Sequence, residues 1–381
     1  MSGPLSGLTV IELQGIGPAP FCGMVLSDMG AEVIRIDRAA NVPDDLSAEP
    51  PVSPLDRGRR SVAVDLKSPA GIEVVLRLIG GADALIEGFR PGVMERLGLG
   101  PDIALARNPR LVYGRMTGWG QEGPYAQMAG HDINYIALAG VLAHIGTDPE
   151  QPPTVPLNLI GDFGGGGMLL AIGVLGALVE AQRSGLGQVV DAAMVDGAAM
   201  LMAAMHGAQH RGGLYPRGRN QLDGASHYYG VYQCADGEYI SVGSIEPQFY
   251  AELLRLTGCE GSEWDAQRYK GGWPARRKEM AEIFASRTRT EWCEIMDGTD
   301  VCFAPVLTIP EAYEHPQNTL RNTFVEVAGV RQPAPAPRFQ RTPSAVAGPP
   351  AHPGANTDDV LAKAGFGADE IGKLRAEGAV R

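Results

Sequence analysis

Leu8-Thr9-Val10-Ile11-Glu12-Leu13-Gln14-Gly15, then Cys22 to Met29, then Gly30-Ala31-Glu32-Val33-Ile34-Arg35-Ile36-Asp37, is the stretch that decides the fold. The first run is β-type and ends at Gly15. The second has helical character and stops at Gly30. The third is a strand from Val33 to Asp37. The alternation continues beyond it. Val62 to Asp65 reads as a third strand, followed by a helix over 69–79. Ala84-Leu85-Ile86-Glu87 is a fourth strand and Leu111-Val112-Tyr113-Gly114 a fifth. Strands spaced by helices predict an α/β fold with a parallel sheet. Apolar helices are expected over 167–182 and 191–206.

The texture then changes. Residues 207–224 are polar, with Arg211, Arg217 and Arg219, and read as a linker. Tyr228 to Val242 reads as paired strands around the turn Asp236-Gly237. Helices follow around 247–257 and 275–286, and this smaller unit runs to about Pro310. Beyond Arg331 the run Gln-Pro-Ala-Pro-Ala-Pro is an extended connector. The tail over 357–377 is a helical hairpin with Thr357 as N-cap.

The 381 residues suit two or three domains. The 51 glycines and 29 prolines favour tight turns and irregular connections over a helical bundle. A net charge of −12 argues against nucleic acid or an anionic membrane as the main partner. Cys22, Cys234, Cys259, Cys293 and Cys302 are scattered and lack metal-type spacing. Reduced thiols in a cytoplasmic protein are expected, with no metal. Leu5 to Ile11 does not read as a leader, and the apolar stretch 167–179 reads as a buried helix, not a membrane span.

Gly15-Ile16-Gly17 after a strand, with Asp37 ending the next, suggests a dinucleotide fingerprint. Its third position is Pro20, and Pro18 and Pro20 remove backbone donors that a pyrophosphate would use, so NAD is not expected. Gly161-Asp162-Phe163 and the four glycines after it lack the Lys-Ser/Thr end of a phosphate loop. That run reads as backbone in close approach to a ligand with Asp162 pointing at it, or as Asp162 capping the helix near Gly167.

His131, in Gly130-His131-Asp132-Ile133-Asn134-Tyr135, either is a satisfied structural histidine or opens a helix whose dipole favours a neutral imidazole. A neutral imidazole is what a general base requires. A histidine and a carboxylate in separate glycine-rich frames suit proton removal on one face of a carbon and return on the other. Arg35, Arg38, Arg57, Arg59, Arg60, Lys67, Arg90 and Arg96 collect near strand ends, where a phosphorylated ligand would bind; the alternative is a solvated charged face. Glu246 precedes Pro247 at a helix start, where it either caps or holds a histidine N–H.

Together with Gly30 to Arg38, Asp65-Leu66-Lys67, Arg90-Pro91-Gly92, Arg96 to Gly100, Thr117 to Gly120 and Ile245 to Tyr250, these frames resemble the alpha-methylacyl-CoA racemases, a branch of the family III CoA-transferase superfamily. The resemblance runs from Gly3 to about Phe339. It implies His131 and Asp162 as the two acid/base catalysts and Glu246 as support for the histidine. It implies an interlocked homodimer with acyl-CoA as substrate and no separate cofactor. The implied organisation is a large Rossmann-like CoA-binding α/β domain over 1–206, a linker over 207–224, a smaller α+β domain over 225–310, a linker over 311–337, and a return to the large domain over 338–381. CoA contacts carry over onto Arg38, Val64, Asp65, Leu66, Lys67, Gly88, Phe89, Arg90, Arg96, Gly130, Asp132, Ile133, Asn134 and Tyr135. The loop over 41–53 is longer than the family's. The reaction implied is interconversion of (R)- and (S)-2-methylacyl-CoA thioesters by 1,1-proton transfer through an enolate. The alternative is CoA transfer with Asp162 as nucleophile, which the histidine at 131 and Ile245-Glu246-Pro247 in place of a glycine-rich loop argue against. A non-catalytic acyl-CoA binder is the remaining reading.

Overall fold

The structure, a computed structural model, describes residues 2–43 and 52–381. Most of the loop over 41–53 lies outside them. The chain divides into two units: 1–139 with 157–201 and 322–381, and 140–156 with 202–321.

In the first unit, β1 (Thr9–Leu13), β2 (Glu32–Arg38), β3 (Arg59–Val64), β4 (Ala84–Glu87), β5 (Val112–Thr117) and β6 (Val189–Ala193) form a parallel sheet in the order β3-β2-β1-β4-β5-β6. Helices cover both faces, so the strands are near-continuous apolar runs. Neighbours alternate between two cores. Ile11, Ile34 and Leu85 join one, and Val10, Val33 and Ile86 join the other. The sixth strand corrects the helix expected from Asp191. Val189-Val190-Asp191-Ala192-Ala193 pairs with 113–117, and a helix starts at Met194 with no turn residue between, so the two patterns merge in the sequence.

The helices are α1 (Pro18–Asp28), α2 (Pro69–Gly80), α3 (Val93–Arg96), α4 (Pro101–Arg107), α5 (Asp132–Leu138), a π-helix (Leu159–Gly167) running into α6 (Met168–Ser184), and α7 (Met194–Leu201). Proline begins α1, α2 and α4, where its missing N–H costs nothing. Leu159–Ser184 is long and apolar enough to cross a membrane by length and composition. Leu170, Ala171, Val174 and Ala177 of its C-terminal part belong instead to the core beside the sheet.

The second unit holds α8 (Ala203–His210), a three-stranded antiparallel sheet of β7 (Tyr229–Gln233), β8 (Tyr239–Gly243) and β9 (Phe303–Pro305), and helices α9 (Pro247–Thr257), α10 (Trp273–Phe284), α11 (Arg289–Met296), α12 (Ile309–Glu314) and α13 (Pro316–Arg321). The β7–β8 turn falls at Asp236-Gly237, with Gly237 at φ 84°. Its core is aromatic: Tyr228, Tyr232, Tyr250, Trp264, Trp273, Phe284 and Trp292. The stretch 311–337, read as linker, carries most of α12, all of α13, and the hairpin β10 (Phe324–Val327) with β11 (Val330–Pro333).

The C-terminal return covers the open edge of β3. Ser61 N–H donates to Asn356 Oδ1 at 3.0 Å, Ala63 N–H to Thr357 Oγ1 at 3.2 Å, and Asp65 N–H to the Ala379 carbonyl at 2.9 Å. An unpaired edge strand is an aggregation template, and this contact removes it. Thr357 is thus the first residue of α14 (Thr357–Lys363), with Asn356 at the cap position. Its hydroxyl is spent on β3 and on the Arg381 carbonyl. The last helix, α15 (Ala368–Ala376), packs Ile371 into the same core.

His227 is buried in the aromatic core of the second unit. Tyr250 O–H donates to the Trp264 carbonyl at 2.9 Å, so His227 Nε2, 2.8 Å from the same hydroxyl oxygen, is the proton donor. Burial, with a lesser push from Arg276, lowers its pKa to about 4. The unfolded imidazole takes its proton near pH 6.5 and the folded one does not, so stability present above pH 6.5 is lost as pH falls towards 4. We expect thermal melts to show a loss on the order of 2 kcal/mol from this group over that window. His227→Gln should flatten that part of the pH dependence. An unchanged dependence would assign the acid sensitivity elsewhere.

Candidate active site

The strand order reverses between β1 and β4. Crossovers leave on opposite sides there, and the carboxyl ends of the two strands open a crevice. A cavity of about 510 Å³ occupies that place. Ile16 to Ala19 after β1, Gly88 to Pro91 after β4, and Thr117 to Trp119 at the end of β5 line it. His131, Tyr135, Asn158, Asp162 and Met194 complete the wall.

His131 is the N-cap residue of α5, in extended backbone. Its N–H donates to Asn134 Oδ1 at 3.0 Å, and the Asn134 N–H returns to the His131 carbonyl at 2.8 Å. This reciprocal pair pins the backbone that carries the imidazole. Tyr135 holds the other flank. Its hydroxyl donates to the Gly130 carbonyl, and its ring meets Trp119 edge-on at 4.7 Å.

Asp162 is inside the π-helix and does not cap α6, which corrects the capping alternative. Its Oδ2 accepts from Asn158 Nδ2 at 3.0 Å. Burial raises its pKa, and Asp132 adds to that. The Asn158 amide and His131 pull the other way. A carboxyl shifted upward holds a proton more readily near neutrality, as a proton donor must. Gly17, at φ 69°, lets α1 begin against this carboxylate; a Cβ there would lie 3.3 Å from Asp162 Oδ2.

The glycine run after Phe163 has a different reason from the one expected. It approaches neighbouring backbone. A Cβ on Gly165 would stand 2.6 Å from Ala198 N, and one on Gly197 1.8 Å from the Gly165 carbonyl oxygen. The glycines let the π-helix lie directly on α7.

The basic cluster is also corrected in part. Arg59 is buried on Glu12, Nε to Oε2 at 2.9 Å. Arg57 is buried on Asp28 and Gln332, Arg35 pairs with Asp37 and Asp56, and Arg60 pairs with Glu32. Parallel strands packed on both faces bury their charged residues, which must then be paired. Arg38, Lys67, Arg90 and Arg96 remain exposed. Of the positions proposed to meet CoA, Gly88, Phe89, Arg90, Gly130 and Tyr135 line the cavity. Arg38, Val64, Asp65, Leu66, Lys67, Arg96, Asp132, Ile133 and Asn134 lie outside its wall. Asp65 Oδ1 accepts the Lys67 N–H at 3.0 Å.

Two contributors were not singled out from the sequence. Asn158 lies four residues before Asp162, a spacing that would have found it. Glu87, buried at the end of β4, accepts the Phe89 N–H at 2.7 Å and the Arg115 Nε–H at 3.1 Å. Burial pushes its carboxyl up to about 7, against the Phe89 amide and Arg115.

Glu246 stands at the cap position of α9 in the second unit. It is exposed and makes no side-chain cap bond, so its carboxylate is not used by its own helix. Cys22 is buried beside Glu12, and burial pushes its thiol up, away from reactivity. Among the described residues no group of three or more His, Cys, Asp or Glu could hold a metal ion.

A model of CoA-transferase family III matches residues 5–359. The chain is 46% identical over 98% of its length to the alpha-methylacyl-CoA racemase of Mus musculus, covering 96% of that protein. It is 45% identical over the same share to the alpha-methylacyl-CoA racemase of Homo sapiens, again covering 96%. The crystal structure of a CAIB/BAIF family protein from Brucella suis superposes with a TM-score of 0.81 at 25% identity, over 96% of this chain and 100% of that one.

The contact between the π-helix and α7 is testable. Gly197→Ala should cost about 3 kcal/mol or more in denaturant unfolding, since a methyl group meets backbone that cannot yield. A loss under about 0.5 kcal/mol would show that the two helices are not in contact there.

Proposed function

The chain belongs to CoA-transferase family III, and from that we propose that it is a racemase interconverting (R)- and (S)-2-methylacyl-CoA thioesters. The observation that carries the reading is a histidine and a carboxyl with raised pKa lining one cavity, each on its own backbone frame. A thioester acidifies its α-hydrogen. His131 takes that proton from the (S) substrate while Asp162, protonated, donates on the opposite face. The roles reverse for (R). Two bases account for inversion, because a single base tends to return its own proton to the face it came from. The enolate oxygen calls for fixed donors. The amides of Asp132 and Ile133, which a helix start leaves without intrahelical carbonyls, suit that need.

Glu246 holds the His131 ring N–H and supports the imidazolium. The supporting observation is a free carboxylate at a helix start. Because Glu246 belongs to the smaller unit, we assign the complete site to an interlocked homodimer, with the large domain of one subunit facing the small domain of the other. CoA binds through Arg38, the 64–67 strand end, the 88–90 loop, Arg96 and the 130–135 turn. CoA is part of the substrate, and the chemistry asks for no separate cofactor. We place the reaction in the cytoplasm, on the reduced thiols.

CoA transfer remains a second reading, because the family's name describes that chemistry and Asp162 is open to the cavity. It would make Asp162 a nucleophile and form an acyl-enzyme anhydride.

Proton NMR of a single-epimer 2-methylacyl-CoA in deuterium oxide separates the readings. We expect loss of the α-proton signal and appearance of both epimers. His131→Ala and Asp162→Ala should each slow this by about 10²–10⁴-fold, and Glu246→Gln by less. No exchange in the wild type, with CoA moving onto an added carboxylic acid, would overturn the racemase in favour of transfer.

A further inference from the structure

The Asp132 side chain is buried and turned away from the cavity that His131 faces. Its Oδ2 accepts two amides, Gly161 N–H at 2.6 Å and Asp162 N–H at 2.8 Å. These amides open the π-helix and would otherwise lack partners. One residue thus joins both frames of the site. Its backbone follows His131 directly, and its carboxylate grips the backbone of Asp162. We propose that Asp132 is a positioning residue that sets the separation of His131 and Asp162 across the cavity and acts through its charge on Asp162. The inference rests on those two residues being the acid/base pair.

Capping alone does not call for a charge here. Asp132 Oδ1 is buried with no partner among the described residues. A buried oxygen left unsatisfied costs stability, and an amide of the same shape would accept both N–H groups without burying a charge. What the carboxylate adds is a negative charge beside Asp162, which favours the protonated form of that carboxyl. A carboxyl that alternates between donor and acceptor benefits from being poised in this way. A chain that places the frame and tunes the proton through one residue also makes small displacements costly, since misplacement by about 1 Å can cost 10²-fold in rate.

Other charged groups stand around Asp162. His131 acts on it from the start of α5, Tyr135 feels its charge, and Arg90 of the loop after β4 lines the same cavity. The only ionisable carboxylates of α1 and α7 are Asp28, at the far end and paired with Arg57, and Asp196, which is exposed. Arg115 of β5 is engaged by Glu87 and Glu95, and Asp191 of β6 is exposed. Glu180 and Arg183 of α6 lie in its last two turns, away from the π-helix.

The test compares Asp132→Ala and Asp132→Asn with the wild type, using α-deuterium exchange of single-epimer acyl-CoA between pH 5 and 9. Asp132→Ala is expected to lower kcat by about 10²-fold with KM within about threefold. Asp132→Asn keeps an acceptor for both amides. It should recover most of kcat at neutral pH and, with the (R) epimer, for which Asp162 is the base, move the acid limb of kcat/KM to lower pH, because the charge that raised the Asp162 carboxyl is gone. Wild-type kcat in Asp132→Ala, or an unmoved acid limb in Asp132→Asn, would overturn the inference while leaving the acid/base pair intact. Exchange surviving in His131→Ala and Asp162→Ala would instead overturn the pair, and this inference with it.

Discussion

The reversal of strand order between β1 and β4 is the constraint from which the site follows. A parallel sheet must send each connection over one of its faces, and right-handed crossovers can change face only where the order turns. The chain starts in the middle of the sheet, builds outward to β3, and returns to build β4, β5 and β6 on the other side. The two loops that part at the turn, after β1 and after β4, leave space between them. Gly17 and Phe89 come from those loops, and the cavity is that space.

Everything chemical is then mounted on backbone that the sheet has already placed. α1 begins at the crevice and meets the π-helix. The π-helix leans on α7 through facing glycines, Gly165 and Gly197. Asp132 closes the arrangement by holding the amides of the π-helix from the start of α5. A π-helix is rare, and its wider i→i+5 turn changes which side chain faces a wall. Asp162 and Asn158, four apart, face one another here as partners. Burial then raises the carboxyl, and an imidazole and a carboxyl share one pocket, as the proposed inversion of a carbon requires.

The charges tell a related story. Those read from the sequence as one basic cluster belong to two populations. Arg35, Arg57 and Arg59 hold the interior together through Asp37, Asp28 and Glu12. Arg57 also reaches Gln332 and the Pro333 carbonyl, so it fastens the returning C-terminal segment to the N-terminal part of the first unit. Arg38, Lys67, Arg90 and Arg96 stay at the surface. A linear sequence shows both kinds at strand ends, since which face of a strand a side chain takes is decided by parity but what stands opposite is decided by topology.

The sequence alone determined the parallel α/β class, five of the six strands of the large sheet and the β7–β8 hairpin, because periodicity and turn residues are local properties. It also singled out His131, Asp162 and Glu246, since glycine frames and a proline at a helix start leave short, readable signatures. Only the tertiary structure decided what those frames are for. The glycines after Asp162 serve helix contact, Thr357 serves a strand edge and not its own helix, and Val189 to Ala193 is a strand because β5 offers it an edge. Those assignments depend on partners distant in the chain. No window of sequence contains both sides of such a contact, and only the folded chain brings them together.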